Sequence, residues 1–560
     1  MPNYQSPGVY VEEIPSAVKA IAGVSTSVVG FIGIVPDSLT IPTSPVIEVS
    51  EDVQEIDNTN TKDTFPLKQY PVNKSPGTYR VRVGAEEAAA SLIDGQDAQG
   101  KTIAQVKFDK APTPATKVKI TIDYIVLANQ VTNEVLDKGD GSKTRFKLQR
   151  YPVNDRDHYQ VRVNGTAVDA SKVKLQNVDD GSAYVVFQAA GDAPKAGDQV
   201  AVDYQASFPT FKPVDVEVVK FCTNFSEFKR SFGDFSVDEQ QRYLAHAVYG
   251  FFSNGGSQCY VTRVKQESDI SVDLLARTFE PYDDISIVAA PGVTNTAAVD
   301  AIKIHCQVNT KDRFAIFDSA KTMDDAQHAG FLDVPGLKTA KPPNSDYAAF
   351  YTPWLQVLDP ALKTMFPKGD GLFYVPPSGH VAGIYARVDN SAGVHKAPAN
   401  EVVLGALGLK YNISKSQQDS LNPDGINCIR NLNGNITVWG ARTIGGNSNQ
   451  DLKYINVRRT LLYLRDSIDK GTQWVVFEPN TPALWEKIKR NVSAFLTTVW
   501  RSGALFGNTP QEAFYVKCDA ETNPPELREV GQVVTEIGVA IVRPAEFVIF
   551  RISQWQPPSK

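Results

Sequence analysis

SVDEQQRYLAHAVYGFFSNGGSQCYVTRV, residues 236–264, sets the fold class. Tyr243, Leu244, Ala247, Val248 and Phe251 recur at three- and four-residue steps and so share one face of a helix. Ser236 and Glu239 have the spacing of a capping box and predict where that helix starts. Asn254-Gly255-Gly256 stops it, and CYVTRV (259–264) follows as a strand. Working outward, VVGFIGIV (28–35), DISIVAAPGV (284–293) and RFAIFD (313–318) are short apolar runs suited to strands buried on both faces. Strands alternating with helical stretches make the middle of the chain α/β.

The C-terminal part has the same texture. VRRTLLYLRDSI (457–468) reads as a helix with Val457, Leu461, Leu464 and Ile468 on one side. WVVFEPN (474–480) reads as a strand and turn. Thr481 caps the next helix, with Pro482 at its first position. Leu484, Ile488, Val492, Phe495, Leu496 and Val499 give it an apolar stripe, and Gly503 ends it. EFVIFRISQW (546–555) is expected to be a final strand. Near the start, PGVYVEEIP (7–15) is an extended arm whose pattern prolines interrupt at both ends.

Residues 61–205 hold an internal repeat. FPLKQYPVN (65–73) matches FKLQRYPVN (146–154), YRVRVG (79–84) matches YQVRVNG (159–165), and VKITIDY (118–124) matches QVAVDY (199–204). Each copy alternates apolar and polar residues between Gly, Asp and Pro turns, the pattern of strands with one wet face. The expectation is an inserted pair of antiparallel β-sandwich-like units of roughly 80 residues.

Composition narrows the function. The 560 residues carry 57 Lys and Arg against 63 Asp and Glu, a net charge of −6. A mildly acidic chain lacks the basic excess that general nucleic-acid binding draws on. The five cysteines, Cys222, Cys259, Cys306, Cys428 and Cys518, form no Cys-x-x-Cys pair, against both a disulfide framework and a structural zinc site. The first nineteen residues, with Glu12, Glu13 and Lys19, do not read as a secretion signal. The longest uncharged run, 20–36, is short of the ~20 apolar residues that span a bilayer. Membrane insertion is not expected.

GQDAQGKT (95–102) fits the phosphate-loop pattern. The following TIAQVKF (102–108) reads as a strand where a phosphate loop needs a helix, so a hairpin turn is the better reading. The histidines His158, His246, His305, His328, His380 and His395 have no zinc-hydrolase spacing, and His246 reads as a packed or edge residue. Ser378-Gly379-His380 lacks the nucleophile elbow. DKGDGSK (137–143) lacks the full calcium-loop series. No catalytic, cofactor or metal residue is assigned, and no enzyme is expected. Lys487, Lys489, Arg490 and Arg501 cluster on one helix, a solvated face or a contact surface.

Four ordered segments resemble contractile tail sheath proteins. They are SPGVYVEEI (6–14) with GVSTSVVGFIG (23–33), then FFSNGGSQCYVTRV (251–264), then INVRRTLLYLRDSI (455–468). The last runs through WVVFEPN (474–480), FLTTVWRSGALFGNTPQEAFYVKCD (495–519) and GVAIVRPAEFVIFRI (538–552). The repeat falls outside the match. The resemblance implies a mixed α/β sheath core built from N- and C-terminal parts. It implies an arm and core strands over 1–60, an outward insertion over 61–205, a middle α/β domain over 206–424, and a tube-proximal C-terminal domain over 425–560. It further implies a subunit of a phage tail, an R-type bacteriocin or an extracellular injection particle, assembled in the bacterial cytoplasm. Its implied partners are copies of itself in hexameric rings, an inner tube, and baseplate and cap proteins. Val9, Tyr10 and Val11 with Phe547, Val548, Ile549 and Phe550 become candidate inter-subunit strands, and Lys487, Lys489 and Arg490 a candidate tube contact. The competing classes are a surface β-rich adhesin, suggested by the repeat alone, and a nucleotide hydrolase resting on 95–102.

Overall fold

The computed structural model describes residues 21–551 except 43–47, 58, 68–78, 84–85, 97–101, 115–116, 126–129, 149–152, 154–158, 178–182, 206–209, 329 and 366–369. Val9, Tyr10, Val11 and Lys101 lie outside the described residues.

A nine-stranded sheet forms the centre. Its order is Lys220–Cys222, Cys259–Val264, Val29–Ile34, Ile287–Ala289, Phe314–Asp318, Ala348–Thr352, Ile426–Leu432, Asn435–Val438 and Glu401–Val402. The six strands from Cys259–Val264 to Ile426–Leu432 run parallel, and antiparallel strands close both sides. Parallel strands bury both faces, which is why the sequence writes them as unbroken apolar runs. Val29 and Phe31 point to one core, and Ile32 to the other.

Helices α1 (Glu239–Ser253) and α2 (Ser378–Ala392) cover the first face. The expected stripe of α1 is fully buried. Its start differs from the expectation: Asp238, not Ser236, is the N-cap and accepts from the Gln241 amide at 2.8 Å. The Ser236 hydroxyl oxygen instead accepts from the Asp238 amide at 3.1 Å, before the first turn, while the Gln241 side-chain oxygen accepts from the Ser236 amide. His246 is buried, its Nε2 3.0 Å from Asp359. The two helices touch through glycines. A Cβ on Gly383 would sit 2.5 Å from the Phe251 carbonyl oxygen, and one on Gly379 2.3 Å from the Ala247 Cα. Gly383→Ala gains about 1 kcal/mol of helix propensity, but it forces two backbones apart, an overpacking cost of up to ~3 kcal/mol. A net loss of ~2 kcal/mol is expected in urea unfolding.

Two β regions interrupt the core. Glu48–Ile56, Val118–Ile125, Tyr79–Val83 and Glu86–Glu87 make a four-stranded sheet, with a three-stranded sheet of Thr64–Pro66, Thr102–Phe108 and Ala90–Gln96. The same order recurs as Gln130–Lys138, Gln199–Gln205, Gln160–Val163 and Thr166–Ala167, with Arg145–Lys147, Ala183–Phe187 and Val173–Asn177. Repeat-matched Phe65 and Phe146 meet Phe108 and Phe187 edge-on, at 5.9 and 5.8 Å. The first strand, Glu48–Ile56, begins before residue 61, because it pairs along its length with Val118–Ile125. The phosphate-loop match spans a hairpin: Gln96 opposes Thr102 in an antiparallel pair, and a strand follows.

Helices α3 (Ile455–Thr472) and α4 (Pro482–Arg501) build the C-terminal unit. The expected strand at 474–480 is absent. Gln473–Val475 is a 3-10 turn directly after α3, and among the described residues no strand pairs with 474–480. Phe477 takes a left-handed φ of 69° and is fully exposed. Nor is 546–551 a strand, as none pairs with it among the described residues, and 552–555 lie outside them. Among the described residues no helix is long and apolar enough to cross a membrane.

Candidate subunit-contact surfaces

Helix α4 follows from its sequence. Thr481 is extended and Pro482 takes the first helical position, although the Thr481 side chain makes no capping hydrogen bond. Leu484, Ile488, Val492, Phe495, Leu496 and Val499 are all buried and pack with Leu464 of α3, Ala504 and Leu505. That fixes the rotation of the helix and leaves Lys487, Lys489 and Arg490 exposed. Lys489 lies 3.8 Å from Glu486, an exposed pair worth at most ~1 kcal/mol. Lys487 and Arg490 have no ion-pair partner among the described residues.

The second surface is the terminal segment. Phe514–Lys517 and Glu536–Val539 form a two-stranded antiparallel sheet, which no third strand joins among the described residues. After it the chain crosses to Glu546, which is pinned. Arg442 grips Glu546 with two hydrogen bonds, Nε to Oε1 at 2.8 Å and Nη2 to Oε2 at 2.7 Å. The Asn422 amide donates to Oε1 at 2.8 Å and the Tyr454 hydroxyl to Oε2 at 2.9 Å. Arg442 is 3% exposed and is held on its other side by the Asn422 carbonyl and Asn447. Burial pushes the Glu546 carboxyl up, but the hydrogen bonds from Arg442, Asn422 and Tyr454 outweigh it and hold the group below the ordinary range. Burial and the same carboxylate push the Tyr454 phenol up to about 12.

Beyond this pin the chain presents four apolar side chains to water. Phe547, Val548, Ile549 and Phe550 are 70%, 69%, 79% and 85% exposed. Soluble monomers rarely leave such a run uncovered. Beside it lies a groove of about 1,030 Å³, lined among others by Lys415, Arg430, Trp439 and Arg543. The segment entering at Ile21 reaches the same unit. Ile21 packs in the α4 cluster, the Val24 amide donates to Ser467 of α3, and Arg459 of α3 donates to the Thr26 carbonyl. Buried Arg459 also forms a paired hydrogen bond with Asp389 of α2, tying this unit to the central sheet. The sequence placed the basic residues on a face away from the apolar stripe of α4, but read the terminal run as a strand, which it is not. It did not reveal the Glu546–Arg442 pin, whose halves stand 104 positions apart. Its only trace is a lone acid directly before four apolar residues.

Comparison with known proteins decides the family. The family model for the phage tail sheath protein central domain matches residues 273–444, and that for the phage tail sheath C-terminal domain matches 447–554, together half of the chain. The chain belongs to the phage tail sheath family. It is similar to the tail sheath protein of Burkholderia phage BcepMu, 26% identical over 179 residues that cover 30% of this chain. The match spans only 36% of that relative's length. Among solved structures, the sheath chain resembles one in the anti-feeding prophage baseplate (28% identity, TM-score 0.52, 62% of this chain and 90% of that one). It also resembles one in the contracted sheath complex of an extracellular contractile injection system, PVC (28% identity, TM-score 0.51, 61% and 88%). A third, in the contracted helical sheath of the anti-feeding prophage, gives 27% identity, TM-score 0.51, 61% and 91%.

Proposed function

We propose that the chain is the polymerising, contracting subunit of an injection machine, and that the terminal segment is its link to the next copy. The observation that carries this reading is the run Phe547–Phe550, exposed beyond a buried anchor. Strand addition suits it. Backbone hydrogen bonds hold the partner while side chains of alternate residues enter pockets, and the joint survives rotation of whole subunits. Residues 7–14 are its counterpart at the other end, and the described chain that follows them packs Ile21 and Val24 against the α3–α4 unit. Subunits so linked stack as six-membered rings around an inner tube, between baseplate and cap. The work comes from a difference between two packings of the same subunits, so no nucleotide is consumed and the subunit is not an enzyme. Assembly belongs in the bacterial cytoplasm.

Residues 48–205 are read as the insertion, two β-sandwich units facing outward, with 206–444 as the central domain and 447–551 as the tube-proximal domain. Lys487, Lys489 and Arg490 then face the tube. Exposed pairs of about 0–1 kcal/mol each hold register and still release on contraction, because salt screens them. Triple reversal, Lys487→Glu, Lys489→Glu and Arg490→Glu, is expected to leave self-assembly intact while abolishing loading onto the tube in co-assembly assays. Normal extended particles at low and high salt would refute this placement. Truncation after Glu546 tests the link itself. The expected product is a folded chain that no longer sediments as polymer, and undiminished polymer would refute the reading.

A further inference from the structure

We propose that Cys222 and Cys259 are a disulfide-forming pair that staples the edge strand Lys220–Cys222 to the central sheet under oxidising conditions. The two strands run antiparallel with Cys222 directly opposite Cys259. Opposed residues in such a pair have Cα atoms ~4.5–5.5 Å apart, inside the ~4.4–6.8 Å span of disulfides. Both side chains are buried, at 1% and 0% exposure, and pack in the same hydrophobic cluster. The pair therefore needs little backbone movement to close. Among the described residues no other strand covers the outer side of Lys220–Cys222, so a three-residue edge strand is all that must fray to admit an oxidant.

The two thiols differ in character. The neighbouring Cys259 side chain favours the Cys222 thiolate, whereas burial holds the Cys259 thiol protonated. Cys222 is thus the attacking group and Cys259 the resolving one. With a low-molecular-weight disulfide such as glutathione disulfide, the Cys222 thiolate attacks one sulfur. The glutathione S–S bond breaks, a mixed disulfide forms, and one glutathione leaves carrying the Cys222 proton. Cys259 then attacks the Cys222 sulfur, the mixed bond breaks, and the second glutathione leaves with the Cys259 proton. Two protein thiols are oxidised by two electrons, and one glutathione disulfide is reduced to two thiols. The bond closes a loop containing the helix Phe225–Phe232 and α1, so it constrains the unfolded chain. It lies inside one subunit and leaves the linking arms free. On the reading above, a particle leaving a reducing cytoplasm would harden without losing its freedom to contract.

The test uses the full chain, incubated with glutathione disulfide, blocked with iodoacetamide and digested without reduction. The expected product is a cross-linked peptide pair containing Cys222 and Cys259, an intact mass lower by two hydrogens, and a melting midpoint several degrees above that of dithiothreitol-treated protein. Cys259→Ala should instead retain glutathione on Cys222, and Cys222→Ala should form no bond to Cys259. Alkylation of both residues in the wild-type map overturns the proposal, even if neither variant folds. So does a bond to another cysteine, or a midpoint unchanged or lowered by oxidation.

Discussion

Glu546→Ala is expected to lower the stability of the chain by ~3 kcal/mol, the lower end of what breaking a buried ion pair costs. The lower end applies because Glu546 keeps a fifth of its side chain in water and Arg442 retains the Asn422 carbonyl and Asn447. What remains is a buried guanidinium whose only carboxylate is gone. Thermal unfolding reads this as a drop of several degrees. The pin also aims the terminal run, so the same variant should lose polymerisation at concentrations where the parent assembles. Glu546→Gln keeps the shape and part of the hydrogen bonding, and should fall between. Because its folded pKa is depressed, the Glu546 contribution is full above the ordinary carboxylate range and is lost as pH falls through the folded value. A Glu546→Ala chain with unchanged melting and normal polymer would remove the pin from the account.

Acid should unfold the central α/β unit steeply, and from a different source. His380 is buried against α1, its pKa pushed down to about 3 by burial and by neighbouring His246. Burial and the adjacent Arg313 guanidinium lower His305 to about 4, with Arg313 donating to its Nε2 at 3.0 Å. Below pH ~6.5 the unfolded chain takes up both protons while the folded chain refuses them, so stability falls as pH falls. Two groups give a slope of ~2.7 kcal/mol per pH unit. Asp318 opposes this. Burial raises its carboxyl to about 6, despite hydrogen bonds from Ser378 and the Gly292 amide, so between pH ~6 and ~4 the folded state takes its proton first. The net slope is ~1.4 kcal/mol per unit, or ~3 kcal/mol between pH 6.5 and 4.5. Urea midpoints measured across that range check it, and His380→Leu should cancel most of the remaining slope. A midpoint flat in pH would contradict the burial of both histidines as neutral groups.

These sites also mark what the sequence could and could not reveal. Val29–Ile34 and Phe314–Asp318 were legible because a strand buried on both faces has to be apolar throughout. Helix α4 was legible because one face is buried and the other is not, whereas α1 showed only its apolar stripe, although residues 241–248 are buried all round it. Trp474–Phe477 carries the composition of a strand, but composition cannot say whether an edge is there to pair with, and among the described residues no strand pairs with it. The apolar run 547–550 also carries the composition of a strand, but among the described residues no strand pairs with it and its side chains stand exposed. Asp238 displaced Ser236 as cap because the Ser236 hydroxyl oxygen accepts from the Asp238 amide, a contact that depends on the turn before the helix. Glu546, Arg442, Asn422 and Tyr454 come together only through the tertiary fold, so no local pattern announces them.

Electron microscopy of the purified full chain across a concentration series tests the central claim most directly. The account predicts rings and hollow, striated tubes that grow with concentration. Dispersed monomers at every concentration would contradict it.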